Sequence, residues 1–143
     1  MTTREYMTQS AEETIALGRE LARTLRNERM VILRGDLGAG KTTLVKGIAE
    51  GFRAASRDDI TSPTFTLIHE FRGPEVTLYH VDLYRIETER ELQTLGLDEL
   101  FAEPRNLVLL EWGEKFSRFR RERDLEIAIE RIDEFQRKIT ITE

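Results

Sequence analysis

Gly35, Gly38, Gly40, Lys41 and Thr42 reproduce the spacing GxxxxGK[ST] inside the stretch GDLGAGKTT, residues 35–43. That spacing is chemistry for phosphate. Glycines let main-chain N–H groups approach phosphate oxygens with no Cβ in the way, and they allow the positive φ angles of a tight loop. Lysine in the place of Lys41 reaches the β and γ phosphates of a nucleotide, and the hydroxyl of Thr42 is placed to ligate Mg²⁺. The plainer reading is a glycine-rich helix start with a solvated lysine. The setting favours the phosphate loop, because the apolar run Met30–Leu33 precedes it and a segment of helical period follows.

Hydrolysis asks for more than a phosphate loop: a carboxylate to fix the metal and a group to orient water. Two acids qualify by position. Glu111 closes the run NLVLLE, and Asp82 stands in YHVDLYR near the end of another strand-like run. For each the alternative is a surface acid at a strand end, and the sequence does not say which touches metal and which positions water. His80 reads as a strand histidine with a satisfied partner, with a catalytic role as the alternative. Phe71, Tyr79 and Tyr84 read as sheet packing, and Lys41 reads as an exposed loop lysine that contributes little to the core.

The elements that must hold these residues are written in the hydrophobic periodicity. Ser10 and Glu13 have the spacing of a capping box, so a helix begins there. Ile15, Gly18, Leu21, Ala22 and Leu25 give it one apolar face, and it ends near Asn27. Met30–Leu33 reads as a strand buried on both faces, which implies parallel sheet. Leu44, Val45, Ile48, Ala49 and Phe52 mark a second helix over 42–52, followed by a polar connection at 54–60. The runs 61–71 and 75–86, parted by Arg72-Gly73-Pro74, predict an antiparallel hairpin. Gly96 divides 87–101 into two short helices. Residues 106–112 are a second buried strand, and the alternations at 125–130 and 138–142 predict a terminal hairpin.

With 143 residues, the chain has room for one well-cored domain, spanning 1–143. Hydrophobic residues at 39% and charged residues at 34% describe a folded, soluble protein rather than a disordered or membrane one. The N-terminal stretch has no secretory pattern, so the expected location is the cytoplasm. The absence of cysteine excludes disulfides, thiolate metal sites and cysteine nucleophiles. A net charge of −5 argues against a protein that coats nucleic acid through an excess of Lys and Arg. Lys115, Arg118, Arg120, Arg121 and Arg123 are the one basic concentration; a solvated helix face with Phe116 and Phe119 turned inward is the default, and a docking patch the alternative.

Read together, GDLGAGKTT, SPTFTL (62–67), YHVDLYR (79–85) and LLEWGE (109–114) resemble the TsaE family, formerly called YjeE, with the likeness running from about Ser10 to Thr142. The resemblance implies an α/β, P-loop NTPase-like three-layer sandwich whose mixed sheet has a parallel core and antiparallel strands. It also implies an ATPase using ATP and Mg²⁺ that acts with the TsaB and TsaD proteins in making threonylcarbamoyladenosine in tRNA, with tRNA engaged indirectly. Carried onto matching positions, phosphate contacts fall on Gly38, Ala39, Gly40, Lys41, Thr42 and Thr43, beside Gly35, and the metal ligands on Thr42 and Glu111. Asp82 matches an acid implicated in hydrolysis. Trp112 matches a tryptophan beside the site. Ser10 matches the start of the nucleotide-side helix, and Arg137 an arginine of the C-terminal hairpin. Gly113 stands where the family often has Pro, and Gln136 where it usually has Gly. Ser62-Pro63-Thr64 resembles a switch-like segment able to sense γ-phosphate.

Two other classes compete with the ATPase. A GTPase-like switch usually carries an NKxD element, and no such string occurs here. A small-molecule kinase needs an acceptor pocket and generally an arginine-bearing lid, for which the chain shows no spare segment.

Overall fold

A computed structural model describes residues 2–36, 38–56 and 67–143. Leu37 and the Ser62-Pro63-Thr64 segment lie outside the described residues. The elements run β1 (Thr3–Thr8), α1 (Ala11–Leu25), β2 (Met30–Arg34), α2 (Lys41–Gly51), β3 (Ala55–Ser56), β4 (Ile68–Arg72) and β5 (Thr77–Asp82). Then come α3 (Glu89–Gln93), α4 (Leu97–Ala102), β6 (Asn106–Glu111), α5 (Ser117–Glu122), β7 (Leu125–Arg131) and β8 (Arg137–Thr142).

These strands form one sheet in the order β1-β8-β7-β2-β6-β5-β4-β3. Its centre, β7-β2-β6-β5, is parallel, and every pairing outside that centre is antiparallel. The unbroken apolar runs that predicted doubly buried strands are the two middle strands. Val31, Leu33, Leu107 and Leu109 pack with α1 and α2 on one face. Met30, Ile32, Val108 and Leu110 pack on the other face, with Leu92 of α3, Leu97 of α4 and Phe119 of α5. Helix, sheet and helix thus make the three layers. The second helical layer covers β2, β5 and β6, whereas β7 and β8 bury side chains only toward α1 and α2.

The Ser10 cap is as the sequence predicts: its Oγ accepts from Glu13 N–H at 3.1 Å, and Glu13 Oε1 accepts from Gln9 N–H at 2.8 Å. Two strands go beyond the sequence reading. β1 pairs antiparallel with β8 along the sheet edge, and β3 adds two residues within the stretch read as a polar connection. Among the described residues no helix is long and apolar enough to cross a membrane.

Four of the five residues of the basic run make ties within the fold. Phe116 and Phe119 are buried, as expected. Lys115 Nζ donates to the carbonyls of Leu83 and Tyr84 at 3.1 and 3.0 Å. Arg118 pairs with Asp98 and Glu122, Arg120 donates to the Glu114 carbonyl, and Arg123 donates to the Thr142 carbonyl.

Candidate active site

Strand alternation decides which side chains meet. Leu107 and Leu109 face α1 and α2, so Glu111, two residues on, faces the same way at the C-terminal end of β6. The same parity carries Leu78, His80 and Asp82 to that face of β5, with Asp82 directly opposite Glu111 in register. α2 begins beside these strand ends, and its first residue is Lys41. Ligands in open α/β sheets gather at such carboxyl ends of parallel strands.

The loop before α2 is a tight turn. Ala39 N–H donates to the Asp36 carbonyl at 3.0 Å, and Leu44 N–H to the Gly40 carbonyl at 3.0 Å. Gly40 caps the helix at φ 107°, in the left-handed region where a side chain is strained. Arg137 of β8 braces this turn by donating from Nε to the Ala39 carbonyl at 2.8 Å, while its Nη1 donates to the Asp133 carbonyl at 2.9 Å. The β7–β8 turn is itself held by the Asp133 carboxylate. Its Oδ1 accepts from Phe135 and Gln136 N–H at 2.9 and 2.8 Å.

Lys41 is not an exposed loop lysine. Its side chain is 13% exposed, and Nζ donates to the Gly35 carbonyl at 2.6 Å and lies 3.0 Å from Glu111 Oε1. The ring of Trp112 lies 5.8 Å from the same ammonium, within reach of a cation–π contact. The sequence reading failed because distance across strand register is invisible in a linear chain. Glu111 Oε2 is bound to Nε2 of His80, so each carboxylate oxygen has its own partner.

Burial alone pushes the Glu111 carboxyl up. The hydrogen bond and charge of His80, and after them those of Lys41, outweigh burial and hold the carboxyl below its ordinary value. A depressed carboxyl stabilises the fold above the unfolded value of 4.5 and loses that contribution as pH falls through the lower native value. Glu111→Gln is therefore expected to unfold at lower urea than the wild type at about pH 7, with the gap narrowing as pH falls below 4.5. A gap of constant size across that range would contradict the pairing.

These groups line a cleft of about 890 Å³. Gly38, Gly40, Lys41, Thr42 and Thr43 form its loop side, Asp82, Glu111 and Trp112 its strand side, and Arg137 one flank. Asp36 and Tyr84 also line it, and neither was singled out for the site from sequence. Tyr84 is a correction: it does not pack on the sheet but stands 63% exposed at the cleft, its ring 5.4 Å from that of Trp112. Trp112 reaches this position through a left-handed backbone, φ 64°, which costs about 1–3 kcal/mol for a residue with a Cβ. Gly113 follows because a Cβ there would lie 2.9 Å from Leu110 Cβ. Ser10 lines a smaller adjoining pocket with Thr43 and Arg137. Gly35 and Ala39 lie behind the loop, on the side of β7.

Comparison with known proteins gives the family of the chain. The family described as "Threonylcarbamoyl adenosine biosynthesis protein TsaE" matches residues 8–139. The chain is 39% identical over 138 residues to the tRNA threonylcarbamoyladenosine biosynthesis protein TsaE of Bacillus subtilis, covering 96% of this chain and 84% of that one. It is 33% identical to the protein of the same name from Aquifex aeolicus, covering 96% and 95%. A crystal structure of Bacillus subtilis YdiB superposes with a TM-score of 0.72 at 34% identity, over 99% of this chain and 85% of that one. The family match, the superposition and sequence likeness over nearly the full length converge, and the chain belongs to the TsaE family of threonylcarbamoyl adenosine biosynthesis proteins.

Proposed function

We propose that the protein binds ATP with Mg²⁺ in this cleft and hydrolyses it, in the service of threonylcarbamoyladenosine modification of tRNA together with the TsaB and TsaD proteins. The observation that carries the reading is the pairing of Lys41, first residue of the loop helix, with the strand-end acid Glu111. Such a pair is the apparatus for gathering phosphate charge and managing a divalent cation.

The donor set suits Mg²⁺. Thr42 and Glu111 offer hard oxygens, and among the described residues no group of three or more His, Asp or Glu forms an all-protein cage. Mg²⁺ characteristically takes one or two protein ligands and fills its shell with phosphate and water. Bound there, it supplies neutralisation of charge on the β and γ phosphates.

The chain's own groups then divide the work. Loop N–H groups and the α2 N-terminus receive the phosphates. Lys41 Nζ, held by Gly35 and Glu111, turns to phosphate oxygens when they arrive. Asp82 is the acid assigned to orienting water. Glu111 is committed to Lys41 and His80, whereas Asp82 lines the cleft and accepts only from Tyr84 N–H, at 2.9 Å, among the described residues. Tyr84 and Trp112 narrow the opening. Arg137 anchors the loop from the hairpin side, so its guanidinium is engaged with backbone rather than free to serve as an arginine finger.

A missing arginine finger is worth about 10³ to 10⁵ in rate in related enzymes. Phosphate release from ATP, measured for the protein alone and with TsaB, TsaD and tRNA, is expected to be slow alone and strongly accelerated in the assembly. Fast turnover alone, unchanged by the partners, overturns the partner dependence. No turnover under any condition overturns the ATPase itself.

A further inference from the structure

We infer that His80 is the positioning residue of Glu111, holding the carboxylate in the orientation that ATP hydrolysis requires without itself touching the nucleotide; this rests on the ATPase reading above. His80 and Glu111 stand on neighbouring parallel strands, on the face toward α2, two residues out of direct register. Their side chains are 16% and 12% exposed, so the contact is shielded from water.

The two partners of Glu111 are not equivalent. Lys41 belongs to the phosphate machinery, and a triphosphate competes with Glu111 for its ammonium. His80 is fixed to a sheet strand, with the ring of His69 from β4 6.3 Å away, and answers to no ligand. When Lys41 turns to phosphate, His80 is the partner that remains. Without it a carboxylate at the cleft wall has free rotation about its side chain, and the geometry that distinguishes a productive acid from a nearby one is lost. Nε2 must carry a proton to donate to a carboxylate. The arrangement is that of an outer partner orienting a ligating acid, where mutation typically costs about 10- to 100-fold in activity.

Two substitutions separate donor from bulk. His80→Phe keeps a ring but has no N–H, and His80→Gln keeps an N–H donor near the place of Nε2. In the assembly with TsaB, TsaD and tRNA, His80→Phe is expected to lower kcat for ATP about 10- to 100-fold, with nucleotide affinity by calorimetry within about threefold. His80→Gln recovers most of that loss. If the phenyl ring prevents folding, His80→Leu replaces it in the comparison. Independently of turnover, ring ¹H–¹⁵N spectra of the nucleotide-free protein are expected to show a proton on Nε2 and to shift in Glu111→Gln. A His80→Phe or His80→Leu protein with wild-type kcat, a Gln variant no better than either, or a ring signal indifferent to Glu111→Gln overturns the positioning role. A wild type that fails to hydrolyse ATP beside its partners overturns the ATPase reading and the positioning role together, and the ring spectrum then reports only on the contact.

Discussion

Lys41→Ala is expected to lower ATP turnover by roughly 10²- to 10³-fold, the scale of losing one preorganised donor to a charged transition state. It is also expected to lower stability, which an exposed lysine would not do. The side chain is 13% exposed and its ammonium lies 3.0 Å from Glu111 Oε1, so its removal leaves a shielded carboxylate with His80 as its remaining partner. Losing a charge-assisted bond at such a site costs about 1.5–3 kcal/mol. The two losses have different causes and separate in a double variant. Lys41→Ala combined with Glu111→Gln removes the stranded charge, so stability returns toward the wild type while turnover stays lost. Urea midpoints and phosphate release on the two single variants and the double check this. A Lys41→Ala protein as stable as the wild type at neutral pH shows that the ion pair contributes nothing, and one retaining turnover within about tenfold of the wild type removes Lys41 from the chemistry.

That prediction marks where reading the sequence stops. The spacing of Gly35, Gly38, Gly40, Lys41 and Thr42 announced a tight glycine turn running into a helix, and that turn and helix are there, because local backbone conformation is a local property of residue types. The doubly buried strands were legible for a similar reason: Met30–Leu33 and Leu107–Leu110 leave no polar face for a helix or an edge strand to show. The capping box at Ser10 and the break at Gly96 are also local signals, and both hold. β1 was missed because TREYMT alternates weakly and presents Met7 50% exposed beside half-buried Tyr6, so its identity comes from pairing with β8, more than a hundred residues on. The Glu111 contacts were hidden for the same reason. Lys41, His80 and Glu111 lie on three elements, and only the sheet order β2-β6-β5 brings them within bonding distance. Tyr84 misled in the opposite direction: an aromatic in a strand-rich run is usually packing, but the strand ends at Asp82, and past it the chain turns out to the cleft.

The hairpin connects to the site by the same kind of non-local contact. The β7–β8 turn is fastened by Asp133, whose carboxyl is held below its ordinary value by backbone bonds from Gln136 and Phe135. The turn in turn fixes Arg137, and Arg137 holds the Ala39 carbonyl inside the loop before α2. Gln136 in the place of the family's usual glycine does not loosen this bracket, since its side chain donates to Asp133 Oδ2 at 2.6 Å. The last strand of the sheet therefore sets the loop as much as the strand that precedes it.

Gly47→Ala is expected to be among the most damaging single-methyl changes in the protein, against the ordinary rule that alanine stabilises a helix interior by about 1 kcal/mol relative to glycine. α1 and α2 cross at Gly18 and Gly47. A Cβ on Gly47 would lie 2.2 Å from the Ile15 carbonyl oxygen and 3.0 Å from Gly18 Cα. Both neighbours are backbone and have no rotamer to yield, so the helices must separate. Overpacking of this kind costs about 1–3 kcal/mol and sometimes more, and exceeds the propensity gain. A net loss of about 1–2 kcal/mol lowers Tm by roughly 3–10 °C in a domain of this size. Lys46→Ala, one residue earlier on the exposed face of the same helix, isolates the effect and is expected to change stability by less than about 0.5 kcal/mol. The displacement also reaches the site, because α2 begins at Lys41 and moves as a unit. Nucleotide affinity is thus expected to weaken in Gly47→Ala even at temperatures where the variant remains folded. Unchanged Tm in Gly47→Ala would mean that α1 and α2 can part at no cost, and that the close crossing does not set the position of the loop helix.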